Sequence, residues 1–121
     1  MLETGVDIVE IERVADLARR YGERFARRVF TPDEWRTYQA RPSSLAARFA
    51  AKEAVIKALG SPHMALHEIR VVRQEGERPT VELVGRALER SRALGVRQIA
   101  LSLSHSQRYA VAFVVLERGA R

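Results

Sequence analysis

Between Ser43 and Gly60 the chain reads SSLAARFAAKEAVIKALG, and this run constrains the fold more than any other. Alanine dominates it, no internal proline or glycine breaks it, and Gly60 with Pro62 beyond supplies C-terminal punctuation. The pattern predicts a helix capped by Ser43 or Ser44. Leu45, Ala46, Ala47, Phe49, Ala50, Ala51, Ala54, Val55, Ile56, Ala58 and Leu59 leave little polar surface on any side. A helix apolar round most of its circumference is buried, so the other elements must wrap around this one.

Upstream, Leu2, Val6 and Ile8 mark a short strand over 2–8. Ile11, Val14, Ala18, Tyr21 and Phe25 then recur three and four apart, as an amphipathic helix requires, with a break expected near Gly22. Thr31-Pro32-Asp33-Glu34 has the form of a capping box and predicts a helix through about Tyr38. Downstream, EIRVVRQ and TVELV flank the turn GERP as a hairpin, and 85–94 reads as a helix stopped by Gly95. RQIALSLSH and RYAVAFVVLE form a second hairpin across Ser106-Gln107. The expected class is α+β, with a mainly antiparallel sheet and a long buried alanine-rich helix.

At 121 residues this is a single domain, 1–121, which buries roughly two thirds of its unfolded surface without help from disulfides or structural metal. The absence of cysteine excludes a disulfide scaffold, a thiolate metal site and a cysteine nucleophile, and points to a reducing compartment. No apolar run approaches the ~18 residues of a membrane span, and MLETGVDIVE carries acids where a secretory signal carries bases. A cytoplasmic location is expected. The net charge of +6 asks for an anionic partner: nucleic acid, a phosphorylated small molecule, a membrane surface or an acidic protein.

Phe49, Glu53 and Lys57 lie at i, i+4 and i+8 along one line of the alanine-rich helix, with Arg48 and Lys52 on a neighbouring line. On most helices Glu53 and Lys57 would be a solvated pair worth about 0.2–0.5 kcal/mol. At the edge of a buried surface, such charges need each other, a metal or a ligand. Asp7 raises the same question, being flanked by Val6 and Ile8 in an apolar strand: either it caps the following helix or it pairs with Glu53. Two carboxylates suit Mg²⁺, which takes one or two and completes its octahedron with phosphates and water. Lys57 would then neutralise a phosphate leaving group.

Ser104, His105 and Ser106 do not make a serine hydrolase, since neighbours on a strand face opposite ways and no G-x-S-x-G elbow is present. His63 and His67 read as ordinary surface histidines, and His105 as a hydrogen-bonding group at a strand end. Arg13, Arg20, Arg24, Arg27 and Arg28 fall largely opposite the first apolar stripe, either as its solvated face or as a dock for an acidic protein. Interspersed acids and an aromatic content of only 7% weigh against nucleic acid.

Five blocks together resemble the bacterial holo-acyl-carrier-protein synthases, the small class of 4′-phosphopantetheinyl transferases. They are Gly5-Val6-Asp7-Ile8 with Arg13, Phe25-x-x-Arg28-x-Phe30 with Glu34, Ala47-Arg48-Phe49-Ala50-Ala51-Lys52-Glu53-Ala54 running into Lys57-Ala58-Leu59-Gly60, Gly76-Glu77-Arg78-Pro79, and Ser102-Leu103-Ser104-His105. The resemblance implies the 4′-phosphopantetheinyl transferase fold and transfer of the phosphopantetheine arm of coenzyme A to a serine of apo acyl carrier protein, releasing 3′,5′-ADP. By the same resemblance Asp7 and Glu53 hold Mg²⁺, and Glu53 and Lys57 are catalytic. Arg48, Phe49, Lys57, Gly60, Pro79, His105 and Ser106 contact coenzyme A. Arg13, Arg24 and Arg28 dock the carrier protein, and three chains assemble with sites between them, serving fatty acid synthesis. Two positions depart from the pattern: Ser61-Pro62-His63-Met64 lacks a second glycine, and Arg78 replaces the more usual lysine. The rival reading is a non-catalytic basic module that binds an acidic protein or nucleic acid, which leaves Asp7 and Glu53 without a purpose.

Overall fold

A computed structural model describes residues 1–119. Its axis is helix α4, Pro42–Leu59, with Leu45, Ala46, Ala50, Ala51, Ala54, Val55 and Leu59 buried. The start of α4 differs from expectation. Arg41 is the N-cap and Pro42 opens the first turn, placing Ser43 and Ser44 inside the helix. Proline's fixed φ and missing N–H suit that position, so the boundary falls before the serines.

Strands β1 (Leu2–Glu10), β4 (Val96–His105) and β5 (Tyr109–Arg118) form one antiparallel sheet in the order β1-β5-β4. β1 runs two residues beyond the expected 2–8, because its pairing with β5 continues to Glu10 opposite Tyr109. A separate hairpin joins β2 (Ile69–Val72) to β3 (Thr80–Leu83), also antiparallel. Both hairpins are where the turn signals place them. The position of β1 beside the last strand is a long-range pairing that no local pattern encodes.

Helix α4 lies against the sheet face made by Gly5 and Val9 of β1 and Ala110, Ala112, Val114 and Leu116 of β5. Small residues let it come close. A Cβ on Gly5 would lie 1.9 Å from the Ala54 carbonyl oxygen, so only glycine permits this crossing.

Helices α1 (Ile11–Tyr21) and α2 (Glu23–Val29) are separated at Gly22, whose φ of 49° breaks the run as expected. Ile11, Val14 and Ala15 are buried, but Tyr21 is exposed. The apolar stripe is therefore interrupted at Tyr21, where the chain bends at Gly22, and resumes at Phe25, which packs against the core. Helix α3 (Pro32–Tyr38) begins with the expected capping box: Glu34 N donates to Thr31 Oγ1 (3.1 Å) and Thr31 N to Glu34 Oε1 (2.8 Å). Helix α5 spans Gly85–Leu94. In place of the second glycine after Gly60, Met64 closes the loop by packing into the core.

The opposite face of the main sheet is uncovered. Val6 stands across from Phe113 and Ile8 across from Val111, and Val6, Ile8 and Phe113 are 54%, 63% and 45% exposed. No helix is long and apolar enough to cross a membrane among the described residues.

Candidate functional site

Asp7 shares the α4-facing side of β1 with Gly5 and Val9. The close crossing at Gly5 carries the strand under Ala54 and sets the Asp7 carboxylate against the polar line of the helix. Lys57 Nζ donates to Asp7 Oδ1 at 3.0 Å and to the Val6 carbonyl at 2.9 Å. Asp7 is mostly shielded while the Lys57 side chain is about half exposed, so the ammonium is anchored yet reachable. Asp7 does not cap α1, because β1 continues three residues past it and the N-cap is Glu10. Nor is Lys57 tied to Glu53: its ion-pair partner lies on another element.

Partial burial pushes the Glu53 carboxyl above the usual carboxylate range. The charge of Asp7 pushes the same way, and Lys57 opposes both. Two acids within each other's field, with one half-exposed lysine between strand and helix, form a site suited to a cation and a phosphate. Among the described residues no group of three or more carboxylates and histidines gathers to hold a metal. A two-carboxylate set fits Mg²⁺, which leaves most of its positions to water and phosphate oxygens.

Arg48 faces elsewhere. Five residues separate it from Glu53, a rotation of about 140° round the helix. Its guanidinium stacks on the Tyr38 ring at 3.7 Å and donates to Tyr38 Oη (2.9 Å) and the Ser44 carbonyl (3.3 Å), while Nε is buried without a partner. Burial lowers its pKa, and Arg73 adds to the effect. It borders a cavity of about 270 Å³ shared with Arg41, Ser44 and Arg73–Gly76, a basic hollow suited to an anion. Pro79 lies just ahead of β3, at the end of the same turn.

His105 and Ser106 form a third place, the β4–β5 turn. His105 Nδ1 is 3.3 Å from the Ser106 carbonyl, and Ser106 Oγ accepts from Tyr109 N at 3.2 Å. His105 stands opposite Ala110, while Asp7 pairs with Ala112 at the other edge of the sheet. Two strand spacings across the sheet, about 10 Å, and two residues along it, about 7 Å, hold their backbones roughly 12 Å apart. Phe49 stacks on Phe25 with ring centroids 6.2 Å apart, and Gly60 ends α4 in the left-handed region. Within one chain, Asp7, Glu53 and Lys57 come together; Arg48 and the His105–Ser106 turn stay apart from them.

Acids on α1 sort the arginines. Arg19 pairs with Glu12 and Asp16, and Arg20 with Asp16. Arg13, Arg24 and Arg28 have no such partner among the described residues. Arg24 and Arg28 flank a hollow of about 250 Å³ lined by Leu17, Tyr21 and Phe25, and Arg13 continues the Leu17–Tyr21 line one turn earlier.

The family model described as 4′-phosphopantetheinyl transferase superfamily matches residues 3–114. The chain belongs to that superfamily. Among its relatives, the holo-[acyl-carrier-protein] synthase of Dehalococcoides mccartyi is 48% identical, the match covering 97% of this chain and 99% of the relative. That of Koribacter versatilis is 44% identical over 97% and 98%. Two solved structures resemble the fold over nearly its whole length. The Chronobacterium ammoniagenes synthase in complex with coenzyme A has a TM-score of 0.85 at 34% identity, covering 99% of each chain. The Helicobacter pylori synthase, also in complex with coenzyme A, has a TM-score of 0.83 at 28% identity, covering 94% of this chain and 99% of that one. Membership bears out the α+β class and the transferase reading, and removes the non-catalytic module.

Two residues of this phosphopantetheinyl transferase escaped the sequence reading in their main role. Lys52 is fully buried and forms a 2.7 Å ion pair with Glu34. Burial lowers the Lys52 pKa, with Glu34 resisting. A signal was present: a lysine inside an apolar circumference demands a buried partner.

Proposed function

We propose that this chain transfers the 4′-phosphopantetheine group of coenzyme A to a serine hydroxyl of an apo acyl carrier protein, releasing 3′,5′-ADP. The observation that carries the proposal is Lys57 held 3.0 Å from Asp7 with Glu53 in the same field. Asp7 and Glu53 would hold Mg²⁺. Bound there, the ion would neutralise charge on the diphosphate. The serine oxygen bonds to the pantetheine-side phosphorus as the bond to the ADP oxygen breaks. Glu53 helps draw off the serine proton through an intervening water. Lys57 neutralises the departing ADP phosphate from its anchored position.

The dispersal of the remaining residues supports a trimer. Arg48, Phe49, Gly60 and Pro79 from one chain, with His105 and Ser106 from a neighbour, would line the coenzyme A groove. The uncovered Val6–Ile8–Phe113 face is the apolar surface such packing would bury. Arg13, Arg24 and Arg28, with Leu17, Tyr21 and Phe25 beside them, are the proposed dock for the acidic carrier. The Phe25–Phe49 stack leads from that hollow to the helix line of Glu53. A cytoplasmic enzyme supplying fatty acid synthesis fits this reading.

The test is intact mass spectrometry of apo acyl carrier protein incubated with this protein, coenzyme A and Mg²⁺. A mass gain of one phosphopantetheine, absent with EDTA and with Asp7→Ala, is expected. Unmodified carrier together with undetectable coenzyme A binding would sink the proposal.

A further inference from the structure

A lysine and a glutamate in the interior of a small domain call for an explanation, because a well-packed apolar pair would hold the fold as well or better. Lys52 Nζ donates to Glu34 Oε1 (2.7 Å), to the Ile69 carbonyl (2.5 Å) and to the Leu66 carbonyl (3.4 Å). Glu34 Oε1 also accepts from Thr31 N, and Oε2 accepts from Val71 N at 2.8 Å. The ammonium's three donors are all used, and both carboxylate oxygens are occupied. Neither residue is free to bind a ligand. Together they fasten α4 and the start of α3 to β2 at two alternate positions, Ile69 and Val71.

Two residues past Val71, Arg73 begins the turn that lines the basic cavity, and the facing wall is Arg48, one helical turn before Lys52. We infer that Lys52 and Glu34 are positioning residues that set the spacing between Arg48 and the β2–β3 turn, and through it the affinity for coenzyme A. This rests on the proposed placement of coenzyme A against Arg48 and that turn. An apolar pair would fill the same space without directional bonds to β2. The Asp7–Glu53–Lys57 cluster is registered separately, by the Gly5–Ala54 crossing. The pair therefore governs binding rather than the chemical step.

Steady-state kinetics of Lys52→Met and Glu34→Gln test this against Arg48→Ala. Both positioning variants are expected to raise KM for coenzyme A by about tenfold, with kcat at saturating coenzyme A within about threefold of the parent enzyme. Glu34→Gln can keep its one acceptor oxygen on Val71 N–H but strands the buried Lys52 charge, so where neither single variant folds the double variant decides the question. The double variant Lys52→Met/Glu34→Gln, which removes the stranded charge, should regain thermal stability while KM stays raised. Unchanged KM in folded Glu34→Gln, with KM raised in Arg48→Ala, overturns the positioning role. Unchanged KM in Arg48→Ala shows that the groove itself is misplaced, and the inference falls with it.

Discussion

Lys57 and Asp7, fifty residues apart, meet at 3.0 Å where α4 crosses β1. The contact couples the group proposed to face the leaving phosphate to one of the two proposed metal ligands. Lys57→Ala should lower kcat by about a hundredfold, typical of losing one preorganised charge at a developing anion. KM for coenzyme A should change far less. Single-turnover transfer at saturating coenzyme A measures it, and an undiminished rate would remove Lys57 from that role.

Glu53 sits in an environment that disfavours its charge. Its folded pKa lies above its ordinary value of 4.5, so the metal-free native state holds this proton more tightly than the unfolded chain does. The stabilisation is complete below the ordinary value and is lost as pH rises through the folded pKa. In EDTA at neutral pH, Glu53→Gln should therefore raise Tm by roughly 1–3 °C, and with Mg²⁺ restored it should abolish transfer. Below pH 4 the Tm difference should disappear. Thermal scans across pH check both statements.

Gly5→Ala should be among the most damaging single-methyl additions in the chain. Its Cβ would meet the Ala54 carbonyl at 1.9 Å, and backbone, unlike a flexible side chain, cannot swing aside. A loss of about 3 kcal/mol in urea unfolding is expected, at the upper end of ordinary overpacking. Transfer should fall too, because strand and helix must separate and carry Asp7 away from Glu53.

Arg24→Glu and Arg28→Glu should raise KM for the carrier protein by about tenfold at low ionic strength and leave KM for coenzyme A unchanged. The difference from the parent enzyme should shrink as salt is added, since exposed charges are screened beyond a Debye length. Arg19→Glu, a substitution within the Glu12–Asp16 cluster, should have a smaller effect on the carrier. Titrations with apo carrier protein at two salt concentrations separate these cases.

If sites are shared between chains, two inactive variants should rescue each other. Asp7→Asn chains retain His105, and His105→Ala chains retain Asp7. Mixed trimers then contain some intact sites, and activity should reappear on mixing after mild dissociation. Phe113→Asp, on the uncovered sheet face, should give monomers in sedimentation and no transfer. A mixture as inactive as its components would show that each chain builds its site alone.

The α4 helix, both hairpins, the break at Gly22 and the Thr31 capping box were legible because each depends on neighbours within a few residues. Arg41 displaced Ser43 and Ser44 as the cap because Pro42 can open a helix as readily as a serine can cap one. Asp7 was ambiguous in sequence: the same aspartate caps a helix or lines a site according to where its strand ends. The pairing of Lys52 with Glu34 was the least legible contact. Each carried a local explanation, a charged line on a helix and a capping box, which hid that they face one another.

By itself the sequence determined the class of fold, the buried status of α4 and the residue types of the candidate site, since periodicity, capping and motif spacing are short-range properties. Only the tertiary structure decided which charges meet. Lys57 chose Asp7 over Glu53, and Lys52 found Glu34. These choices follow from how closely α4 approaches β1 and β2. That approach is set by Gly5, Ala54 and two small residues of the last strand, Ala110 and Ala112, acting across distances in sequence that no local pattern records.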